Sequence, residues 1–447
     1  MRKLKNIAII GVLTLVLAMT SCQKWIAPEV NIDPDRPTSV DLSLILPAVE
    51  VNAAYVLGGF DVAGVTGIWM QYIKGTDRQA RAIDVYNITQ TDVNNLWNDI
   101  YTGPLMDLKD IKEQAVEKNL EGYTAVANVL EAYILGTMTG LFGDLPVSQA
   151  FQATPGNPNP PAYDSEEEIY AYINTLLDTA IAIIDRNPIP LTGEDLIYGG
   201  DYALWQEAAY TLKARYALRT ENRVAPNWDD VIAMLDNGFT SLDDDMKVGF
   251  TDNTTENNPL YQFVDQREGY IADNGTLAAI ANIDLNSDGT ADDDPRLAVL
   301  NINGYWFQPS SDVTMMGYTE ALFIRAEAMY NRGDADADVQ TALVNAVTAS
   351  LDKYGTNDAA WLALYTAYVG TLTSTDLYNE ILRQKYIDNM MNPEAWADYR
   401  RTGQPALTPT SGSSLPERFP YPTDEVSYNP NTPDYGSVFN PLWFTNK

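Results

Sequence analysis

Oxygen donors at calcium-loop spacing occupy residues 284–292, which read Asp-Leu-Asn-Ser-Asp-Gly-Thr-Ala-Asp. Calcium takes about six to eight hard oxygen ligands, and a loop that offers them at alternate positions curls them around one point. Asp284, Asn286 and Asp288 stand at the first, third and fifth places of such a loop, with Gly289 at the turn and the Thr290 carbonyl and Asp292 beyond it. The closing acid is missing: Pro295 stands in its place and Asp294 comes one residue early. The spacing predicts a structural calcium site or, failing that, an acidic surface turn. No cofactor is required.

The other reactive position is Cys22, the only cysteine. It follows Arg2, Lys3 and Lys5, an apolar run from Ile7 to Ala18, and the small residues Thr20 and Ser21. That is the order of a basic n-region, a short h-region and a cleavage site. The apolar run is too short to span a bilayer, and a thiolate is the nucleophile that acyl transfer needs. We expect residues 1–21 to be a lipoprotein signal peptide and Cys22 to be the lipidated first residue of the mature chain. An ordinary signal peptide with an accidental cysteine is the alternative.

Composition removes much other chemistry. The 447 residues contain no histidine, which rules out Ser-His-Asp and Cys-His nucleophiles, His-ligated zinc and an imidazole proton shuttle. Catalysis would fall to carboxylates, Lys, Tyr or an oxygen-held metal. Sixty-one acidic residues against 28 basic ones give a net charge of -33, so nucleic acid is not expected as a partner. Aromatic side chains are the remaining resource, with 27 Tyr, 9 Trp and 11 Phe. Flat rings stack on the apolar faces of sugars, although many rings in any chain are core.

Exposed rings and planar polar groups are sought in two loop-like stretches. Residues 67–89 hold Trp69, Tyr72, Arg78 and Tyr86; the second stretch holds Tyr261, Arg267, Tyr270, Tyr305 and Trp306. Tyr305 with Trp306 is the most site-like pair, because adjacent rings on a loop do not easily both enter a core. Trp69 fits a core position at least as well, and Trp97 with Tyr101 is assigned to the core.

Helices must carry these positions. Residues 23–39 are polar and Pro-rich and read as a tether (22–39, counting Cys22), followed by one domain over 40–447. Apolar residues recur at helical spacing over 41–57, 91–118, 122–142, 165–186 and 201–219. Gly103-Pro104 kinks or divides the second of these. Residues 238–312 are an irregular excursion rich in Asn, Asp, Gly and Thr, with room for a short hairpin. Helical code returns over 318–332, 334–353, 358–369 and 376–391, as two helix pairs of tetratricopeptide length. The chain is therefore expected to be mainly α, a stack of tetratricopeptide-like helix hairpins with an irregular loop-rich region and little β structure. The tail should wrap on the helices as extended chain.

Several segments resemble the SusD/RagB family of bacterial outer-membrane nutrient-binding lipoproteins. They are LFGDLPVSQAF from Leu141, DPRL from Asp294, YTEALFIRAEAMYNRGD from Tyr318, and ILRQKYIDNMMNPEAWADYRRTGQPAL from Ile381 followed by PERFPYPTDEVSYNP. Together with the signal sequence the resemblance covers essentially the whole chain, and its short length is most like the compact SusD-like subgroup. The segments themselves read as scaffold. Gly143 ends a helix, Asp144 caps the next segment and Pro146 stops the helix resuming. Glu320 and Glu327 are expected to pair with Arg325 or Arg332, Trp396 to pack on the preceding helix, and Asp398, Arg400 and Arg401 to pin the tail.

The resemblance implies a function without chemistry. Such proteins sit on the outer membrane through their lipid, facing the exterior. They cap a SusC-type TonB-dependent transporter and hand it a captured nutrient, usually a glycan. The ligand is held on the irregular side, where Trp306, Tyr305, Trp69, Tyr72, Arg78 and Tyr270 are the candidates. The same role with peptide or another oligomer as cargo is the alternative. A carboxylate-only glycosidase is a remote one, and would show as a raised pKa on one of two facing acids beside aromatic rings.

Overall fold

The computed structural model describes residues 40–152, 159–191 and 194–445. The expectations for the signal peptide, Cys22 and the tether lie outside the described residues.

The N-terminal helices arise from local capping and periodicity. Asp41 accepts from the Ser43 N–H at 3.0 Å and opens α1 (Leu42–Leu57). A π-helical turn (Phe60–Gly64) leads into α2 (Val65–Trp69), β1 (Ile73–Gly75) and α3 (Arg78–Asp84). Gly103 divides α4 (Asn94–Thr102) from α5 (Pro104–Lys118), with the proline at the first helical position, where its missing N–H costs nothing. Asn119, in the left-handed region, turns the chain back into α6 (Glu121–Phe142). This helix is long and apolar enough to cross a membrane by composition, but it is buried on nearly every side and is the core helix of the fold. Gly136 makes that possible: a Cβ there would stand 2.2 Å from the Tyr216 hydroxyl, which packs across it. A Ser165–Glu168 capping box opens α7 (Glu166–Ile184), Asp201 caps α8 (Tyr202–Arg219), and α9 (Trp228–Asp236) comes next.

The region after α9 is irregular, as expected, but holds more order than a hairpin. β2 (Met246–Val248), α10 (Pro259–Gln266), β3 (Ile271–Asp273), α11 (Thr276–Ala281) and β4 (Val313–Met316) lie along it. The strands form two antiparallel pairs, β1 with β3 and β2 with β4. Then α12 (Tyr318–Arg332), α13 (Asp336–Tyr354), α14 (Ala359–Val369) and α15 (Ser374–Asp388) form the two expected helix pairs. They enclose a separate apolar cluster around Leu343, Val347, Trp361, Tyr365 and Ile381. Successive helices pack on one another from α5 to α9, and α12 packs on both α8 and α9. The architecture is mainly α and tetratricopeptide-like.

Beyond α16 (Glu394–Thr402) and the short α17 (Thr423–Tyr428), the tail is largely irregular and covers the helices. Trp396 does not lean on the preceding helix alone. Its ring lies 4.9 Å from Trp69 and 5.7 Å from Phe419 of the tail, and its Nε1 donates to the Pro416 carbonyl at 3.1 Å. Arg400 lies 3.4 Å over the Trp396 ring and donates to the carbonyls of Gly140 (2.7 Å) and Glu417 (2.9 Å), tying tail to core helix.

The buried charges pair differently from the local expectation. Glu320 is held bidentately by Arg215 of α8, at 2.7 Å on both oxygens. Glu327 accepts from Arg401 of α16 at 2.7 Å and lies 3.5 Å from Lys385 of α15. Arg325 and Arg332 instead face Asp236 and Asp229 near the surface. Helical spacing brings Arg332 and Glu327 near in sequence, but Glu327 points inward, where only a distant cation reaches it. Asp398 completes the cluster, at 2.8 Å from both Lys385 and Arg401. Burial opposes its ionisation, yet these two cations outweigh it and hold the carboxyl below the usual range.

These buried acids set two stability outcomes. Glu327→Ala removes an acceptor that Arg401 and Lys385 share and leaves Asp398 to serve both buried cations, and it should cost about 1–3 kcal/mol in urea unfolding. Glu50 of α1 is fully buried, accepts from the Leu196 N–H at 2.8 Å, and is pushed from 4.5 up to about 10 by burial and by the Asp195 carboxylate. A carboxyl raised on folding contributes stability that is complete below its unfolded value and is lost as pH climbs toward the folded one. Glu50→Gln should therefore melt close to wild type near pH 4.5 and above it near pH 8, the gap widening between.

Candidate functional site

Three of the candidate rings are core. Trp69 is 0% exposed, and its Nε1 donates to the Ile83 carbonyl at 3.2 Å. Tyr72 is 2% exposed, stacks 4.5 Å from Tyr386, and donates to the Tyr386 carbonyl at 2.6 Å. Trp306 is 8% exposed, edge-on to Tyr354 with the Lys353 ammonium 5.4 Å above its ring. A ring closed in on both faces has none left for a sugar, so these three are not stacking platforms in this conformation. A 3₁₀ turn over Tyr305–Phe307 turns Trp306 and Phe307 inward while Tyr305 stays half-buried. Tyr86 is buried as well, and Tyr261 is half-buried.

The remaining candidates are brought together by strand pairing. β1 and β3 align Ile73 with Asp273 and Gly75 with Ile271, and the Thr76 N–H continues the ladder to the Tyr270 carbonyl at 2.8 Å. The two candidate stretches thus become one surface. The exposed Arg78 guanidinium stands 5.7 Å from the Tyr270 ring, and Tyr270 meets Phe263 edge-on at 6.3 Å. Phe263 stacks flat on Phe60 at 3.5 Å, and Arg267 covers it at 5.1 Å.

Beside this surface lies a cleft of about 240 Å³, walled by Tyr55, Asp61, Asp99, Gln262, Gln266 and Arg267. Tyr55 donates to Gln262 at 3.0 Å and joins α1 to α10 across it. Gly58-Gly59 ends α1, and the π-turn after it swings Phe60 in against Phe263 and leaves Asp61 at the rim. The surrounding protein and the nearby Asp99 carboxylate raise the Asp61 carboxyl above the ordinary range, and Arg267 pulls the other way. Phe60, Phe263, Asp61 and Asp99 were not singled out from the sequence. The glycine pair breaking an apolar helix was the available signal.

The acidic loop closes on itself. Asp284 accepts from the N–H groups of Asp288 (3.1 Å) and Gly289 (2.8 Å), Asn286 from Asp288 (2.9 Å), Asp288 from Thr290 (2.8 Å), and Asp292 from Leu285 (2.9 Å). Asp294, the early acid, is buried and committed to Arg296 at 2.6 and 3.0 Å. Among the described residues no three acidic side chains group closely enough to hold a metal. A carboxylate has two oxygens and about four lone-pair sites, so these bonds shape the loop without using up its donors.

Comparison with known proteins fixes the family. Residues 35–305 and 284–422 match the SusD-like model described as "Starch-binding associating with outer membrane". The chain belongs to the SusD-like family. This is an outer-membrane-associated family, and membership supports a nutrient-binding role. No curated protein matches the sequence. Among solved structures, a SusD/RagB family protein from Bacteroides thetaiotaomicron is 24% identical, with a TM-score of 0.71 over 91% of this chain and 99% of that one. A chitin-binding SusD homolog from Flavobacterium johnsoniae is 20% identical, with a TM-score of 0.72 over 90% and 98%. A SusD homolog from Bacteroides fragilis is 19% identical, with a TM-score of 0.71 over 92% and 100%. At these identities the structures speak for the SusD-like fold.

Calcium titration checks the acidic loop. A rise in melting temperature with calcium that Asp288→Ala abolishes places an ion in the loop, and a melt unchanged by calcium leaves it an acidic surface turn.

Proposed function

We propose that this SusD-like protein captures oligosaccharide at the cell surface and delivers it to a SusC-type TonB-dependent transporter. On this reading the chain is lipidated at Cys22 and faces the exterior. One observation supports this location for the site: β1–β3 pairing sets Arg78 and the Tyr270 ring beside the planar polar groups of Gln262, Gln266 and Arg267, over the buried Phe60–Phe263 stack. Sugars present apolar C–H faces and hydroxyls together, so a site for them combines rings with planar donors and acceptors. The family description as starch-binding supports a glycan cargo, as does the similarly folded chitin-binding homolog from Flavobacterium johnsoniae. Tyr305, half-buried on the same irregular side, extends the surface for a longer chain. Peptide or another oligomer as cargo keeps the same surface and the same partner.

One observation favours the remote reading. Asp61, exposed at the rim, is raised above the ordinary range and lines the same cleft as Asp99, and a raised acid near a second acid is one feature of a carboxylate-only glycosidase. The distinction is turnover.

A glycan and peptide array is the test, with Tyr270→Ala in parallel. Binding to one polysaccharide class, weakened about two- to tenfold by loss of the ring, is the expected result, since an aromatic contact is worth about 0.5–1.5 kcal/mol. Peptide-only binding moves the cargo. Incubation of the bound oligosaccharide should release no product, whereas products that disappear with Asp61→Asn would make the protein a hydrolase.

A further inference from the structure

A larger cavity, about 540 Å³, opens between α5, α6 and α7, lined by other residues than the site above. Helical spacing builds most of it. Leu105, Lys109 and Lys112 share one face of α5, Glu131 and Leu135 one face of α6, and Ile169 and Tyr172 come from α7. The segment after Pro146 closes the mouth with Phe151, whose ring stands 6.2 Å from Tyr101 at 45°. Phe151 takes a φ of 62°, a left-handed backbone that costs a bulky residue energy and that the surrounding packing must sustain. The Tyr101 hydroxyl donates to the Pro146 carbonyl at 3.1 Å and holds that segment in place.

The polar wall limits what fits. Lys112 and Glu131 are paired, at 23% and 13% side-chain exposure, and the Tyr172 hydroxyl donates to Glu131 at 3.4 Å. A purely apolar ligand would bury this pair without replacing its water, which is costly. An anion would meet Lys112 already neutralised, with Asp164 and Glu168 in the same lining. A cation would meet carboxylates that already have partners, Glu131 on Lys112, Asp164 on the Val147 and Ser148 N–H groups and Glu168 on the Ser165 N–H. A neutral ring bearing adjacent hydroxyls satisfies every wall, because each hydroxyl both donates and accepts and a vicinal pair can bridge ammonium and carboxylate together. The volume lies within the range of about 300–1,000 Å³ usual for small-molecule sites.

We propose that this cavity is a second saccharide subsite, with one or two sugar rings lying on Phe151, Tyr101 and Tyr172 and their vicinal hydroxyls bridging Lys112 and Glu131. The inference rests on the glycan reading and extends it. Two subsites on different faces hold one polymer with an effective concentration set by the chain between them, so a long glycan binds more tightly than a short one at either subsite alone.

Calorimetric titration of the full-length protein in detergent, with maltotriose and with N-acetylchitotriose, tests this. The variants are Phe151→Ala, the conservative Glu131→Gln, and Tyr270→Ala, each checked for an unchanged circular-dichroism melt. Two sites in the wild type are expected. Tyr270→Ala should remove one, and Phe151→Ala and Glu131→Gln should each weaken the other at least tenfold. A single site lost with Phe151→Ala but kept in Tyr270→Ala also supports the cavity, and moves the primary site away from Tyr270. A single site lost with Tyr270→Ala and indifferent to the cavity variants overturns the second subsite and leaves the glycan reading intact. Two sites both indifferent to the cavity variants overturn it too. Silence with both sugars while the array shows a bound glycan overturns the cavity subsite if that glycan's trimer, titrated in the same way, is indifferent to Phe151→Ala.

Discussion

A cation taken into this interior has to be met there by acceptors, and the fold is arranged around that requirement. Arg215, Arg219, Lys385 and Arg401 are almost fully buried, and their partners Glu320, Glu327, Glu394 and Asp398 sit on other helices or other turns. Leaving one of them unpaired costs more than most single packing defects. The cluster ties α8, α12, α15 and α16 into one object, although 175 residues separate Arg219 of the first from Glu394 of the last. The C-terminal helix pairs have their own apolar cluster, so it is this polar knot, with the Arg296–Asp294 pair beneath α13 and α15, that orients them on the rest.

A scaffold fixed this way leaves the irregular region free to serve as a surface without serving as a support. The strands in it are three or four residues long and pair only in twos, too little to stand alone. They are held because β1 leaves α2, and α2 carries Trp69 into the packing of Trp396 and Phe419. The rings of the region divide accordingly. Those on the scaffold side are sealed, and those at the strand ends, Tyr270 with its neighbour Arg78, stay accessible.

Much of the helical plan was legible because its determinants are local. Asp41, Ser165 and Asp201 are caps within one residue of the helices they open, and Tyr318–Arg332 ends at Gly333 as its left-handed backbone requires. The features that sequence spacing did not show depend on contacts between distant residues. Glu320 lies one turn from Arg325 in sequence, but its partner is Arg215, 105 residues earlier. Trp306 was expected at the surface because two adjacent rings seldom both enter a core, but the 3₁₀ turn takes both Trp306 and Phe307 inward and leaves Tyr305 half-buried. The pairing of Asp294 with Arg296, two residues on, was not read from the motif either.

The tail supplies packing that nothing earlier in the chain can replace. Phe419 donates its N–H to the Leu141 carbonyl at 2.8 Å, and the Tyr421 hydroxyl reaches the Asp144 carbonyl at 2.9 Å. Trp443 donates its N–H to Glu166 at 2.7 Å, and Phe444 is fully buried. The end of the core helix α6 is thus covered by residues of the tail, Tyr421 being made 277 positions after the Asp144 it caps. A nascent chain can form helices in order of synthesis, but its first core stays open until the final residues arrive. Until then the polypeptide exposes the apolar end of its central helix, the condition in which chains tend to associate with one another.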